Sequence, residues 1–315
     1  MVSHAVATSA ADARTERYRQ AERRLWDRFD LRPTEHIVEL DAPATRLRVL
    51  EVGTGRPVLF VHGTAGLGAW PGLLAQLRGL RCLILERPGW GLSSAIDYSG
   101  QEYRRLTAGL LAGVLDALGI ERASVAGASI GNVWALSLAA ADPARVDRLA
   151  LIGGGSPLVA DFQPPRIIRL LASPLGALIV RLPPKRRMEL AQLRQNGHGA
   201  SLDAGRIPGE FIEWRLAMAR ETDSMRHERD MARALLGKDG WRPGVTFDVD
   251  ELTAIKQPTL YVWGSADPAG SREIWQRVTG ALPAGELHVV EGAGHTPWLD
   301  EPDRVGDDVG RFLMA

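Results

Sequence analysis

Apolar positions change their spacing several times along the chain, and each change predicts a different element. Residues 15–30 place Tyr18, Leu25 and Phe29 at helical spacing with arginines on the other faces, and Pro33 ends the pattern. Residues 35–40 and 46–52 alternate instead, as two strands separated by Asp41-Ala42-Pro43, an antiparallel pair at a sheet edge. Residues 57–61 are wholly apolar, which suits a strand covered on both faces, as parallel sheets require.

From there strand, glycine-rich turn and helix repeat. Helices are expected over 68–80, 101–118 and 132–141, and strands over 82–85, 123–126 and 146–152. After Gly153-Gly154-Gly155 the alternation stops, and 156–249 carries helical patterns only, punctuated by Pro164-Pro165, Pro174, Pro183-Pro184 and Pro208. It resumes with a strand over 258–263, a helix over 271–282, a strand over 286–290 and a final helix over 298–313. The pattern predicts a doubly wound, mostly parallel α/β sheet with right-handed crossovers. Its core is expected at 35–155 and 250–315, with an N-terminal helical extension at 1–34 and an inserted helical cap at 156–249. Active groups then belong at the carboxyl ends of the strands.

Composition narrows this picture. With 315 residues, 45% of them hydrophobic, a large core can form, and the 38 basic residues balance the 38 acidic ones. No net field recruits nucleic acid or an anionic membrane, so the expected ligand is small and largely neutral. Cys82 is the single cysteine and sits in an apolar run, so no disulfide framework or thiolate metal site is expected within one chain, and no cofactor is implied. The N-terminal residues show no basic start followed by an apolar stretch. The longest apolar segment, residues 170–180, is interrupted by Pro174 and Gly176 and falls short of the roughly 20 residues a bilayer span needs. A soluble, cytoplasmic monomer or homodimer without stable membrane insertion is the expectation.

The candidate chemistry centres on Gly127-Ala128-Ser129-Ile130-Gly131, where a short apolar strand runs into Gly-x-Ser-x-Gly and then a helix. Such an elbow holds its serine on a strained turn, which requires residues without bulk two before and two after it. With 34 glycines in the chain, about 0.16 such pentapeptides are expected by chance, so the surrounding pattern has to carry the argument. A serine nucleophile needs a base, a group that orients the base, and donors for an oxyanion. Of the seven histidines, His295 stands in Gly292-Ala293-Gly294-His295-Thr296-Pro297, just past the last strand, and is the candidate base. His4 lies in the N-terminal segment, His36 and His288 in strands, and His198 and His227 in the insertion. Asp267, in the turn after the strand ending at Trp263, is the candidate orienting acid, with Asp161 as fallback. The oxyanion donors are expected from the backbone of Ile130 and of Thr64, the latter in the loop His62-Gly63-Thr64-Ala65-Gly66; His62 itself reads as a structural residue of that loop. Trp70 and Trp90 are candidate pocket walls, and the apolar residues of the insertion, from Ile167 to Val180 and from Phe211 to Met218, suggest a greasy acyl or alcohol site. The basic run Arg181, Lys185, Arg186, Arg187 reads as a solvated helix start or, more sharply, as a clamp for a carboxylate or phosphate.

Gly127-x-Ser129-x-Gly131, His62-Gly63, Glu86-Arg87-Pro88-Gly89-Trp90-Gly91, Asp267 and Gly294-His295 with Glu301-x-x-Arg304-Val305 together resemble the α/β-hydrolase family, in its order Ser, Asp, His. The likeness runs from about residue 35 to the end and implies an eight-stranded sheet with a cap over a serine-hydrolase site. Glu86 departs from it, since the family usually shows Asp there; that position shapes a loop and leaves the catalytic set untouched. Relatives with an aspartate nucleophile, such as haloalkane dehalogenases and epoxide hydrolases, are disfavoured by Ser129. All four tyrosines, which epoxide hydrolases would need in the cap, lie outside it. The expected activity is hydrolysis of a small to medium, largely apolar carboxylic ester, lactone or thioester through an acyl-enzyme. The alternatives are a carbon–carbon bond hydrolase on the same triad, or a binding protein that has kept the fold.

Overall fold

The computed structural model describes residues 9–155, 158–159 and 162–315. His4 and Asp161 therefore lie outside the described residues. Eight strands form one sheet in the order β1-β2-β4-β3-β5-β6-β7-β8. They are β1 (Thr34–Asp41), β2 (Ala44–Val52), β3 (Arg56–Val61), β4 (Leu80–Glu86), β5 (Ala123–Ala128), β6 (Val146–Ile152), β7 (Thr259–Gly264) and β8 (Gly285–Val290). β2 runs antiparallel to β1 and to β4, and every other neighbouring pair is parallel. Strand order reverses direction around β3, so the carboxyl ends of β3 and β5 open side by side. That is the crevice where open α/β sheets bind ligands.

The helices before the last strands of the sheet are α1 (Ala10–Asp27), α2 (Pro71–Leu74), α3 (Tyr103–Ala117) and α4 (Ile130–Ala141). Between β6 and β7 come α5 (Arg166–Ala172), α6 (Gly176–Ile179), α7 (Arg186–Leu193), α8 (Gly199–Asp203), α9 (Gly209–Glu221), α10 (Ser224–Leu235) and α11 (Val249–Leu252). α12 (Arg272–Ala281) and α13 (Pro302–Met314) complete the chain. Two apolar cores flank the sheet: Leu83, Val125 and Trp134 belong to one, and Phe60, Ile84 and Trp214 to the other.

Two expected helices are shorter than their patterns. In place of a helix over 68–80 there is a 3-10 turn at Leu67–Ala69 and the single turn α2. Glycine supplies the reason: Gly66 and Gly79 take positive φ, and Gly68 lies so close to the Trp214 ring that a Cβ would come within 2.5 Å of it. The last helix starts at Pro302 rather than at residue 298, because proline fits the first position of a helix and Pro297 to Leu299 form a separate 3-10 turn.

α1 starts in a capping box, with Ser9 and Asp12 satisfying each other's backbone N–H groups. It is more than an extension, because it bridges the sheet and the insertion. On the insertion side Arg17 pairs with Glu221 at 2.7 Å and the Tyr18 ring lies 6.4 Å from that of Trp214. On the sheet side a buried ionic cluster forms around Arg48 of β2, which contacts Glu22 at 2.5 Å, Glu35 at 2.6 Å and Glu86 at 3.5 Å. Glu86 also accepts from the Tyr18 hydroxyl at 2.8 Å and from the Leu92 N–H at 2.7 Å. Burial pushes the Glu86 carboxyl up to about 7 despite the Arg48 charge, while Arg19 and Arg48 hold Glu35 at about 2 against its partial burial.

Candidate active site

Ser129 sits where β5 turns into α4, and its φ of 55° is in the left-handed region that side chains with a Cβ avoid. The flanking glycines make that possible. A Cβ on Gly127 would stand 2.6 Å from the Gly131 carbonyl oxygen, and one on Gly131 would stand 2.1 Å from that of Val61. The strain is held in place by hydrogen bonds: the Ser129 N–H donates to Ile152 O at 3.1 Å, and Asn132, fully buried, donates to the carbonyls of Ile152 and Gly153 while accepting from the Ile152 N–H. Asn132 thus ties the start of α4 to the end of β6. Nothing in the sequence pattern marked it, since an Asn in the first turn of a helix is ordinary.

The sheet brings the other two expected residues together. His295 Nδ1 lies 3.0 Å from both carboxylate oxygens of Asp267. Asp267 is buried and also accepts from the Gly154 N–H at 2.6 Å and the Ala269 N–H at 2.8 Å, so the orientation of its carboxyl group is fixed. Burial alone would lower the His295 pKa; the Asp267 charge and hydrogen bond outweigh it, and the imidazole is raised above its ordinary 6.5. Ser129 and His295 both line one tight cleft of about 10 Å³, room for about one water molecule, together with Gly63, Trp70, Thr296 and Trp298 among others. A serine and an imidazole on one cleft, with a buried carboxylate behind the imidazole, compose the arrangement that acyl transfer uses.

Ile130 opens α4, so its N–H is among the first four of the helix that have no acceptor within it, and the helix dipole favours negative charge there. Across the cleft Gly63 abuts Ser129, for a Cβ on it would lie 2.7 Å from Ser129 Cβ. Gly63 and Ala65 line the cleft; Thr64, the expected donor, is not among the lining residues. Its carbonyl and that of Ala65 face Arg215 Nη1 of α9 at 3.5 and 3.4 Å, and Arg215 is anchored by Glu189 at 2.6 Å. His62 acts as a strut. It sits 2.8 Å from Gly63 O and accepts from the Arg87 N–H at 3.1 Å, and burial, reinforced by Arg87, pushes its pKa well below the ordinary value.

Trp70 forms a cleft wall, stacked on Trp298 at 4.7 Å, and its buried indole N–H has no partner among the described residues. Trp90 does not reach the cleft. Its indole N–H donates to Glu228 at 3.0 Å and its ring packs on the edge of His62 at 5.0 Å, so it docks α10 onto the loop after β4. The apolar residues expected to form a greasy site split in two. Phe211, Ile212, Leu216 and Met218 are buried in the core between α9 and the sheet, whereas Ile167, Leu170, Leu175 and Leu178 are exposed. None of them lines the cleft at Ser129, and neither does the run from Arg181 to Arg187.

One arrangement had no sequence signal at all. Residues 194–198, a π-type turn of the insertion with Gly197 at a φ of 88°, wrap the loop that carries His295. The His295 N–H donates to Asn196 O at 2.8 Å and the Thr296 N–H to His198 Nε2 at 3.3 Å. His198 is fully buried, and its Nδ1 lies 2.7 Å from Asp300 Oδ2, which also accepts from the Gly294 N–H at 2.8 Å. With Nε2 accepting from the Thr296 N–H, Nδ1 is the ring nitrogen that donates to Asp300. A second Asp–His pair therefore stands behind the first and fixes the backbone on either side of His295. Burial opposes ionisation of Asp300, but His198, Ser201 and the Gly294 N–H together hold its pKa below the usual value.

Comparison with known proteins places this geometry. Residues 58–308 match the model of the alpha/beta hydrolase family. A 2-hydroxy-6-oxononadienedioate/2-hydroxy-6-oxononatrienedioate hydrolase of Burkholderia vietnamiensis is 30% identical over 288 residues, spanning 88% of this chain and 94% of that protein. Among solved structures, naproxen esterase from Bacillus subtilis superposes with a TM-score of 0.74 at 19% identity, covering 96% of this chain and 98% of its own. The 2-hydroxy-6-oxo-6-phenylhexa-2,4-dienoate hydrolase of Rhodococcus sp. strain RHA1 gives 0.71 at 21%, covering 90% and 100%.

Proposed function

The chain belongs to the alpha/beta hydrolase family, and from that premise we propose that it hydrolyses a carbon–carbon bond next to a ketone in a vinylogous diketone, with Ser129, His295 and Asp267 as its catalytic set. The observation that carries this reading is the alignment, nearly end to end and at 30% identity, with a relative of that activity. The esterase likeness, at 19% identity, supports the fold alone.

The chemistry suits the site. Ser129 Oγ attacks the ketone carbon as His295 Nε2 takes its proton, and the oxyanion is met by the Ile130 N–H and by backbone N–H groups of residues 63–65. In the 2,6-diketo form of such a substrate, breaking the bond between carbons 5 and 6 sends its electron pair through the conjugated system to the carbon-2 oxygen. The leaving carbon fragment is thus a stabilised enolate, which takes the proton His295 received from Ser129 and departs as a dienol, leaving the imidazole neutral again. Water, deprotonated by His295, then releases the acyl group from Ser129 as a carboxylic acid.

Carboxylic ester hydrolysis is the second reading, and one observation favours it: no Lys or Arg is among the described residues that line the cleft, whereas a dianionic substrate calls for a cation. Turnover of a 2-hydroxy-6-oxohexa-2,4-dienoate, followed by loss of its dienolate absorbance, should be compared with that of p-nitrophenyl esters. A kcat/KM at least about 100-fold higher for the diketone, abolished in Ser129→Ala, is expected. The reverse preference would replace the proposal with the esterase reading.

A further inference from the structure

The outer face of the insertion combines two features rarely found together on a surface that meets only water. Eight large hydrophobic side chains are exposed among the described residues, and six of them, Ile167, Leu170, Leu175, Leu178, Leu182 and Met188, fall in one stretch. The same stretch, residues 162–188, holds Arg166, Arg169, Arg181, Lys185, Arg186 and Arg187 and not one Asp or Glu. The 38 basic and 38 acidic residues of the whole chain cancel only when these six cations are included, so the stretch is a concentrated positive field on an otherwise net acidic chain. Arg186 pairs with Glu213 and Arg169 bonds to Gln163, but Arg166, Arg181, Lys185 and Arg187 have no carboxylate partner among the described residues. The inner edge is well seated: Leu171 and Gly176 are buried, and a Cβ on Gly176 would strike the Leu171 carbonyl oxygen at 1.8 Å. The apolar side chains are therefore held outward on a packed scaffold.

We propose that α5, α6 and the segment up to Met188 form a docking face for an anionic phospholipid surface, the leucines entering the headgroup boundary and the cations meeting lipid phosphates. Leucine at the boundary and Lys or Arg around it is the composition of interfacial binding. A second copy of the chain is a poorer occupant, because a two-fold contact through this face would set the same six cations against each other. Nothing here requires a bilayer span, and no helix among the described residues is long and apolar enough to cross one.

The test is co-sedimentation of the full chain with phosphatidylcholine vesicles, with and without phosphatidylglycerol, at low and high salt. Leu175→Gln/Leu178→Gln and Lys185→Glu/Arg187→Glu are made in parallel; all four residues are exposed, and circular dichroism with a melting curve verifies each fold. Binding at least about tenfold stronger to phosphatidylglycerol vesicles, lost in high salt and cut at least about tenfold by either double variant, is expected. Absent or equal binding to both vesicles overturns the proposal, as does binding that both variants leave unchanged. A concentration-dependent dimer dissolved by Leu175→Gln/Leu178→Gln, without vesicle binding, would give the face to a second copy. Retention of polyglutamate but not of vesicles would give it to an acidic protein.

Discussion

Asp267→Asn probes the site most sharply, because the structure gives three separate consequences. Asp267 meets the Gly154 N–H through Oδ2, the Ala269 N–H through Oδ1 and His295 Nδ1 through both. An amide offers one oxygen and one NH2, so in either orientation one backbone donor faces another donor, costing about 1–3 kcal/mol of stability. If the NH2 turns to His295, the imidazole takes the wrong tautomer and cannot accept the Ser129 proton. If the oxygen does, the imidazolium loses its counter-charge. Either way a loss of about 10⁴ in kcat, or about 5.5 kcal/mol, is expected by analogy with serine–histidine–aspartate hydrolysis on other folds. The third consequence is a change in pH dependence. The Asp267 charge raises His295 above 6.5 against its burial, so wild-type kcat/KM should rise with pH to a midpoint above 6.5 as the base loses its proton. Without the charge, burial acts unopposed and the midpoint should fall below that value. Steady-state kinetics from about pH 5 to about pH 9 measure both effects. A loss under about tenfold, or an unmoved midpoint, would refute the role given to Asp267.

Other outcomes follow from neighbouring features. Ser129→Ala should abolish turnover, by about 10⁴-fold or more, while leaving the circular dichroism spectrum unchanged. His198→Ala leaves the Thr296 N–H without its acceptor and removes one of the donors to Asp300, and should cost about 1–3 kcal/mol in a denaturant titration and lower kcat more than it alters KM; His198→Gln, which can still accept from Thr296, should recover part of the rate. Glu86 has its folded pKa raised from 4.5 to about 7, so its contribution to stability is full below pH 4.5 and is lost as pH rises through 7, on the order of 3 kcal/mol; Glu86→Gln should flatten that part of the stability–pH curve. Arg48→Leu strands Glu22 and Glu86 in the interior and should destabilise the fold by about 3–5 kcal/mol, measured by urea unfolding.

The amino-acid sequence by itself determined the sheet, its parallel character and the strained strand-to-helix turn that carries Ser129, because each rests on local physics. Wholly apolar runs such as Val58 to Val61, bounded by turn signals, suit strands covered on both faces, and a serine held at a φ of 55° needs the glycines at 127 and 131. Asp267 and His295 were legible too, since each follows a strand whose carboxyl end had to lie on the rim that carries Ser129. Only the tertiary structure decided what depended on contacts between segments distant in sequence. His198 and Asp300 stand 102 residues apart, and no periodicity marks a pair that exists only because the insertion folds back over the loop of His295. Trp90 and Trp70 look alike in sequence, each an aromatic residue after a strand, yet one is spent anchoring α10 and the other faces the cleft. The apolar residues of the insertion were equally ambiguous. Hydrophobicity says that a side chain gains by leaving water, but only packing decides whether it meets the core, as Phe211 does, or stays on the surface, as Leu175 does.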